Sequence, residues 1–211
     1  MRIQTLKKIL AVLTAVLLVM TLAGCGSTPA NEPAPAETPV SENTENDAAD
    51  TETGNKTLVV YFSVTGNTKD IAEKIAEITG ADVYEIRAAE EYTDADRNYN
   101  DPESRATKEQ KDKEFRPEIG SGPVSLEGYT TVFIGYPIWW GEEPRILDTF
   151  VESHSFDGIT VIPFCTSGSS GIGNSGQNLE KNAGSGIWLE GRRFASGTSK
   201  EDIAAWISGL Q

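Results

Sequence analysis

Residues 57–211 are predicted to form an α/β fold, in which a parallel sheet is covered by helices on both faces. Apolar runs of strand length alternate along this region with patterns typical of amphipathic helices. The strand segments are almost continuously apolar, as expected for strands buried on both faces of a sheet. The length of the region is normal for a single domain with a substantial core.

Each element can be placed from its own pattern. Gly80 ends the first helix, and Pro144 lies in the first turn of the third. In such folds ligands bind beyond the carboxyl ends of the strands, where the winding order reverses. We therefore expect a site in the loops that follow the first, third and fourth strands. The predicted strands are 57–63, 81–87, 130–136, 159–165 and 186–191, and the predicted helices lie near 67–79, 103–114, 143–152, 173–183 and 199–210.

Residues 1–24 have the pattern of a secretory signal. Arg2, Lys7 and Lys8 precede an uncharged apolar run that covers residues 9–23. The run is shorter than the roughly 20 apolar residues that a transmembrane helix needs. An ordinary buried helix is the alternative, but such a helix would interleave polar residues with the apolar ones.

Residues 22–25, Leu-Ala-Gly-Cys, resemble the lipobox of bacterial lipoproteins. The resemblance implies cleavage before Cys25 and acylation of that residue, which would give stable membrane anchoring. Residues 25–56 are then a lipidated cysteine followed by a linker rich in Pro, Ala, Glu and Thr, typical of disorder. The predicted location is the outer face of the cytoplasmic membrane. The alternative is a conventional signal with Cys25 as a free thiol.

The composition excludes several classes of site. The net charge of −14 makes the chain a poor partner for nucleic acid. Besides Cys25 the only cysteine is Cys165, so an internal disulfide and a cysteine-rich metal site are excluded, and no metal is predicted. His154, the single histidine, lies in a polar stretch typical of a surface loop. We interpret Cys165 as a small buried apolar residue.

The loop after the first strand is rich in small polar residues. Hydroxyl side chains and backbone N–H groups at a helix N-terminus can bind an anion without a basic side chain. The phosphate-binding loop of a nucleoside triphosphatase would end in Gly-Lys-Ser/Thr, whereas this loop has Asn67-Thr68-Lys69, which argues against that class. A simple capped strand-to-helix turn remains the alternative. The candidate residues are Ser63, Thr65, Gly66, Asn67 and Thr68.

Two adjacent tryptophans, Trp139 and Trp140, follow the third strand. Large aromatic side chains are rarely left exposed, and neighbouring residues cannot easily pack on the same side of a chain. A platform on which a flat ring stacks therefore explains the pair better than packing on the sheet, which remains the alternative.

The loop after the fourth strand, residues 165–176, is rich in glycine and serine. It contains the spacing G-x-G-x-x-G at Gly171, Gly173 and Gly176, with Glu190 further along. The first of these glycines lies six residues beyond the strand, whereas in the fingerprint it follows the strand immediately. The loop also follows the fourth strand of the region, not the first. Dinucleotide binding is therefore the weaker interpretation; backbone N–H groups in such a loop could instead hydrogen-bond the polar edge of a flavin.

Together, segments 57–76, 132–150 and 161–180 resemble the flavodoxin family, in the branch whose second loop is Tyr-Pro-Ile-Trp-Trp-Gly. The resemblance implies a flavodoxin-like three-layer sandwich with a five-stranded parallel sheet in the order 2-1-3-4-5, and noncovalent FMN. It also implies that the first loop holds the FMN phosphate. Pro137, Ile138, Trp139 and Trp140 would cover the isoalloxazine, and Thr166, Ser167, Gly168 and Gly171 would line its pyrimidine side.

The resulting functional hypothesis is a membrane-tethered FMN-binding electron carrier. Its expected partners are an unidentified redox donor and acceptor, either proteins or a quinone. An FMN-dependent NAD(P)H reductase of quinones or other small acceptors is the alternative, and a flavin-free module that binds a partner is a third. The charged segment 88–126 is longer than a minimal crossover, which leaves a lid or a partner surface as its role.

Overall fold

Strands and helices alternate along residues 55–210, the part of the chain that the computed structural model describes. The proposed signal, Cys25 and nearly all of the linker lie outside the described residues. Within those residues, no helix is long and apolar enough to cross a membrane. The elements are β1 (Thr57–Phe62), α1 (Asn67–Thr79), β2 (Asp82–Ile86), α2 (Arg105–Lys111), β3 (Thr131–Pro137), α3 (Arg145–Glu152), β4 (Thr160–Thr166), α4 (Ser175–Ala183), β5 (Ile187–Trp188), β6 (Arg192–Phe194) and α5 (Lys200–Ser208).

The strands form one parallel sheet in the order β2-β1-β3-β4-β5, and β6 also pairs with β4. Successive residues of β1 face opposite sides of the sheet. Leu58 and Val60 belong to a core shared with α2, α3 and α4, and Val59 and Tyr61 to a second core shared with α1 and α5. The architecture is therefore the predicted three-layer sandwich, and the flavodoxin-like strand order is confirmed.

The fifth strand differs from the prediction because it is divided into β5 and β6. The Leu189 amide donates to the Val161 carbonyl (2.9 Å), but Pro163, two residues along β4, has no N–H to continue the ladder. The register shifts by one residue between β5 and β6, which is a bulge. At Gly191 an added Cβ would lie 2.7 Å from the Pro163 carbonyl oxygen. The prediction of one continuous strand over 186–191 was wrong for this reason.

Candidate flavin site

A cavity of about 470 Å³ lies at the carboxyl ends of the strands. Its volume falls within the roughly 300–1,000 Å³ of small-molecule sites. All three predicted loops contribute to its wall. Nine of the thirteen site residues predicted from the sequence line it, namely Thr65, Asn67, Thr68, Pro137, Ile138, Trp139, Thr166, Ser167 and Gly168.

The first loop places the N-terminus of α1 at the cavity. Gly66 immediately precedes the helix with φ of 86°, a left-handed conformation that favours glycine. No side chain caps the helix, so the capped-turn alternative is not what the structure shows. The first N–H groups of a helix have no intrahelical acceptor. They remain available to an anion, beside the exposed side chains of Thr65 and Asn67.

The buried member of this loop is Thr68, which is 1% exposed. Its Oγ1 lies 2.8 Å from Oγ1 of Thr166, at the end of β4, so the first and third loops are joined directly. Ser63 points elsewhere and lines a neighbouring cavity of about 190 Å³. Its buried Oγ has no hydrogen-bond partner within residues 55–210, which is unusual for a buried polar atom.

The second loop forms a tight hairpin. The backbone N–H groups of Trp139 and Glu142 each donate to the carbonyl of the other, at 2.9 and 3.0 Å. The two central residues, Trp140 and Gly141, have φ of 49° and 85°, which is the pattern of a type I′ turn. A left-handed conformation is strained for a bulky residue such as tryptophan, and such strain is often found at functional sites.

This hairpin separates the two tryptophans. Trp139 is 5% exposed and packs edge-on against Phe62 and Tyr92, with ring centroids 5.6 and 5.0 Å away. Trp140 is 38% exposed and lies outside the cavity wall. Its ring contacts that of Tyr99, with centroids 4.2 Å apart. The pair does not form one platform: Trp139 is a wall of the cavity that also packs in the core, and Trp140 lies at its outer edge.

A buried polar network lies beneath the hairpin. Gln110 of α2 donates from Nε2 to the carbonyl oxygens of Trp139 (2.9 Å) and Glu143 (3.1 Å). The Arg145 guanidinium lies 3.5 Å from the Glu143 carboxylate and 3.3 Å from that of Asp148, and all three side chains are almost fully buried. Burial raises the pKa of Glu143 to about 7 and also raises the pKa of Asp148.

The third loop is fixed from the fifth-strand side. Arg193 of β6 donates from Nη2 to the carbonyl oxygens of Ser167 and Gly168, both at 2.7 Å. Gly171 is exposed and lies outside the cavity wall. The glycines that follow border a separate cavity of about 120 Å³, which is too small for a dinucleotide.

Several residues that line the cavity or hold its loops were not found from the sequence. Arg97 and Tyr99 reach it from the connection between β2 and α2, and Ala195 and Ser196 from the loop after β6. The position of Ser196, in a Gly/Ser-rich stretch after a strand, is a signal that could have found it. Nothing in the irregular charged segment distinguishes Arg97 or Tyr99.

Cys165 and His154 take no part in the cavity. Cys165 is fully buried, as predicted, and burial raises the pKa of its thiol to about 12. The His154 ring stacks on Phe150 with centroids 4.3 Å apart, and its Nδ1 lies 2.8 Å from the Phe150 carbonyl oxygen. Neither residue lines the candidate site.

These features define a doubly wound α/β protein with an uncapped helix N-terminus and a partly aromatic cleft beside it. The chain belongs to the flavodoxin family, because a family model described as flavodoxin matches residues 56–210. No curated protein matches the chain.

Solved structures agree with this assignment. A protein from Bacteroides eggerthii, provisionally described as a flavoprotein, is 45% identical with a TM-score of 0.70, over 74% of this chain and 98% of that one. A similarly described protein from Bacteroides uniformis is 46% identical with a TM-score of 0.70, over 74% of this chain and 99% of that one. A flavoprotein from Lactobacillus acidophilus, solved in complex with FMN, is 22% identical with a TM-score of 0.55, over 72% and 99%, and shares the fold.

Proposed function

We propose that this protein binds FMN noncovalently and carries electrons between redox partners while tethered to the outer face of the cytoplasmic membrane. The observation that carries the cofactor assignment is the single cavity that joins the uncapped N-terminus of α1 to the Trp139 wall. One end suits a phosphate and the other suits a flat aromatic ring. Membership of the flavodoxin family, and the FMN complex of the L. acidophilus protein with the same fold, support the choice of FMN.

The residues present fit this cofactor. The N–H groups at the start of α1, with the side chains of Thr65 and Asn67, would hold the phosphate through neutral hydrogen bonds. The Ser63 hydroxyl, which follows β1 and lines the neighbouring cavity, is not one of these groups. Ser167 and Gly168, held in place by Arg193, would present backbone groups to the polar edge of the ring.

FMN supplies the electron chemistry when bound, and the protein sets its potential through stacking, hydrogen bonding and charge. Trp139 forms a rigid apolar wall, because its ring is fixed between Phe62 and Tyr92. Such a wall excludes water from the ring face. The chain carries a net charge of −14, and a negative field disfavours the added negative charge of a reduced flavin. We therefore expect a low potential.

Absorbance of the full-length protein in detergent, with and without added FMN, tests the cofactor assignment. We expect 1:1 binding and a flavin spectrum. A reductive titration in two one-electron steps would support the carrier. A single two-electron step, together with steady oxidation of NAD(P)H in the presence of a quinone, would support the alternative reductase. Failure to bind FMN at micromolar concentration would contradict both and favour a module that binds a partner.

The tether rests on the sequence of residues 1–25. We propose that Cys25 is acylated and that residues 26–56 link it to the domain. Incorporation of labelled fatty acid into the wild-type chain, and its loss in Cys25→Ser, is the expected result. A chain that is exported but remains unlabelled and soluble would contradict the tether without affecting the flavin assignment.

A further inference from the structure

The connection between β2 and α2, residues 87–104, brings one charged side chain to the cavity. Among the described residues that line the cavity, Arg97 is the only one with a formal charge. The other polar side chains of the wall are neutral hydroxyl and amide groups, which belong to the three predicted loops, to Ser196 and to Tyr99. A ligand that enters this cavity therefore meets one guanidinium, which is paired on one side with the exposed carboxylate of Asp94.

The hydrogen bonding of the Arg97 guanidinium is incomplete. Nη2 pairs with the carboxylate of Asp94, whose side chain is 98% exposed, while the Arg97 side chain is 21% exposed. The Nε atom of Arg97 is buried and has no acceptor among the described residues. A buried guanidinium N–H without an acceptor is costly, so a ligand that supplies an acceptor at this point gains from the pairing.

The turn that precedes Arg97 is anchored to α2. Before it, the Tyr92 ring is buried, and its hydroxyl donates to Glu109 of α2 at 2.6 Å. After Tyr92, the Asp96 carboxylate accepts from the Thr93 amide at 2.8 Å, and the Asp96 carbonyl accepts from the Ala106 amide at 2.9 Å. Arg97 thus follows an anchored turn, and the fold presents it at the cavity.

We propose that Arg97 provides the positive charge that pairs with the negative charge of the bound flavin nucleotide. The inference rests on the proposed FMN function. FMN carries negative charge on its phosphate in every redox state, and its ring gains negative charge on reduction. The phosphate and the reduced ring share the same chemistry, because each offers an anionic oxygen or nitrogen acceptor to the guanidinium. The experiment below distinguishes them.

The test compares the full-length wild type with Arg97→Gln, Arg97→Lys and Lys181→Gln. Lys181 is exposed in the last turn of α4 and does not line the cavity, so its variant controls for the loss of one positive charge elsewhere. Dissociation constants are measured for FMN and for riboflavin, which lacks the phosphate, at two ionic strengths. The midpoint potential of the bound flavin is measured for each variant, and circular dichroism reports whether the variants fold.

If Arg97 pairs with the phosphate, Arg97→Gln raises the dissociation constant of FMN about tenfold or more and leaves that of riboflavin within twofold of the wild-type value. It also reduces the salt dependence of FMN binding. If Arg97 pairs with the reduced ring, the same variant makes the midpoint potential more negative, whichever flavin is bound. In both cases Arg97→Lys, which keeps the positive charge, retains most of the wild-type behaviour, and Lys181→Gln resembles the wild type.

Folded Arg97→Gln that binds both flavins as the wild type does, with an unchanged potential, would overturn the proposal. So would an effect of equal size in Lys181→Gln, because a general change in charge would then be sufficient. Wild-type protein that binds neither flavin would instead contradict the proposed function, and the two failures are therefore distinguishable.

Discussion

The two ends of the cavity are built in different ways. The first loop obtains its geometry from neighbours in the sequence: Gly66 turns the chain, and Asn67 donates to Thr65 two residues away. The tryptophan hairpin depends on remote residues. Gln110 donates to the Trp139 carbonyl from 29 positions earlier in the chain, and Tyr99 packs on the Trp140 ring. A site residue held by local chemistry can be recognised from the sequence, whereas one held by remote contacts depends on elements whose placement the sequence hardly reveals.

The largest expected effect breaks the buried ionic network beneath the hairpin. Arg145→Met leaves Glu143 and Asp148 buried without their counter-ion, and we expect a loss of about 3–5 kcal/mol in the free energy of unfolding. Chemical denaturation at pH 8 measures it. The control is Lys113→Gln, which removes an exposed ion pair with Glu142 and should cost under about 1 kcal/mol. Equal losses in the two variants would show that the buried network does not support the fold.

The next effect concerns pH. The pKa of Glu143 is about 7 in the folded protein, against an ordinary value of 4.5, so the folded state retains a proton that the unfolded state releases. The contribution of Glu143 to stability is therefore full below about pH 4.5 and is lost as the pH rises through 7.

Glu143→Gln removes this titration. The free energy of unfolding of the variant, relative to that of the wild type, should rise by on the order of 2–3 kcal/mol between pH 4.5 and 8. Asp82→Asn is the control: hydrogen bonds from Tyr129 and Lys56 lower the pKa of that exposed carboxylate below its ordinary 3.8, so its difference from the wild type should stay constant over this range. A constant difference between Glu143→Gln and the wild type over this range would contradict the assignment.

The same contrast explains what could be predicted from the sequence. The apolar strands and Gly80 are local signals, and they indicated the sheet and the end of α1 correctly. The break in the fifth strand depends on Pro163 of the neighbouring strand, so the pattern of residues 186–191 alone could not reveal it. The sequence also indicated a functional role for both tryptophans, but their separation requires the left-handed backbone of Trp140.

A smaller effect isolates the strain in the hairpin. Trp140→Asn and Trp140→Ala both remove the ring contact with Tyr99, but asparagine tolerates the left-handed conformation and is favoured before glycine in a type I′ turn. We expect Trp140→Asn to be more stable than Trp140→Ala by about 1 kcal/mol, as measured by thermal denaturation. Equal stability of the two variants would mean that the turn relaxes when the tryptophan is removed.

The smallest expected effect distinguishes two threonines within the first loop. Thr68→Val keeps the shape of the side chain but removes the buried hydroxyl that meets Thr166, at a cost of about 1 kcal/mol in the free energy of unfolding. Thr65→Val alters an exposed side chain and should leave stability within about 0.5 kcal/mol. Both variants should bind FMN more weakly, because both hydroxyls border the α1 N-terminus. If Thr65→Val bound FMN as the wild type does while Thr68→Val did not, the buried link between the loops, instead of the exposed hydroxyl, would determine the affinity for the phosphate.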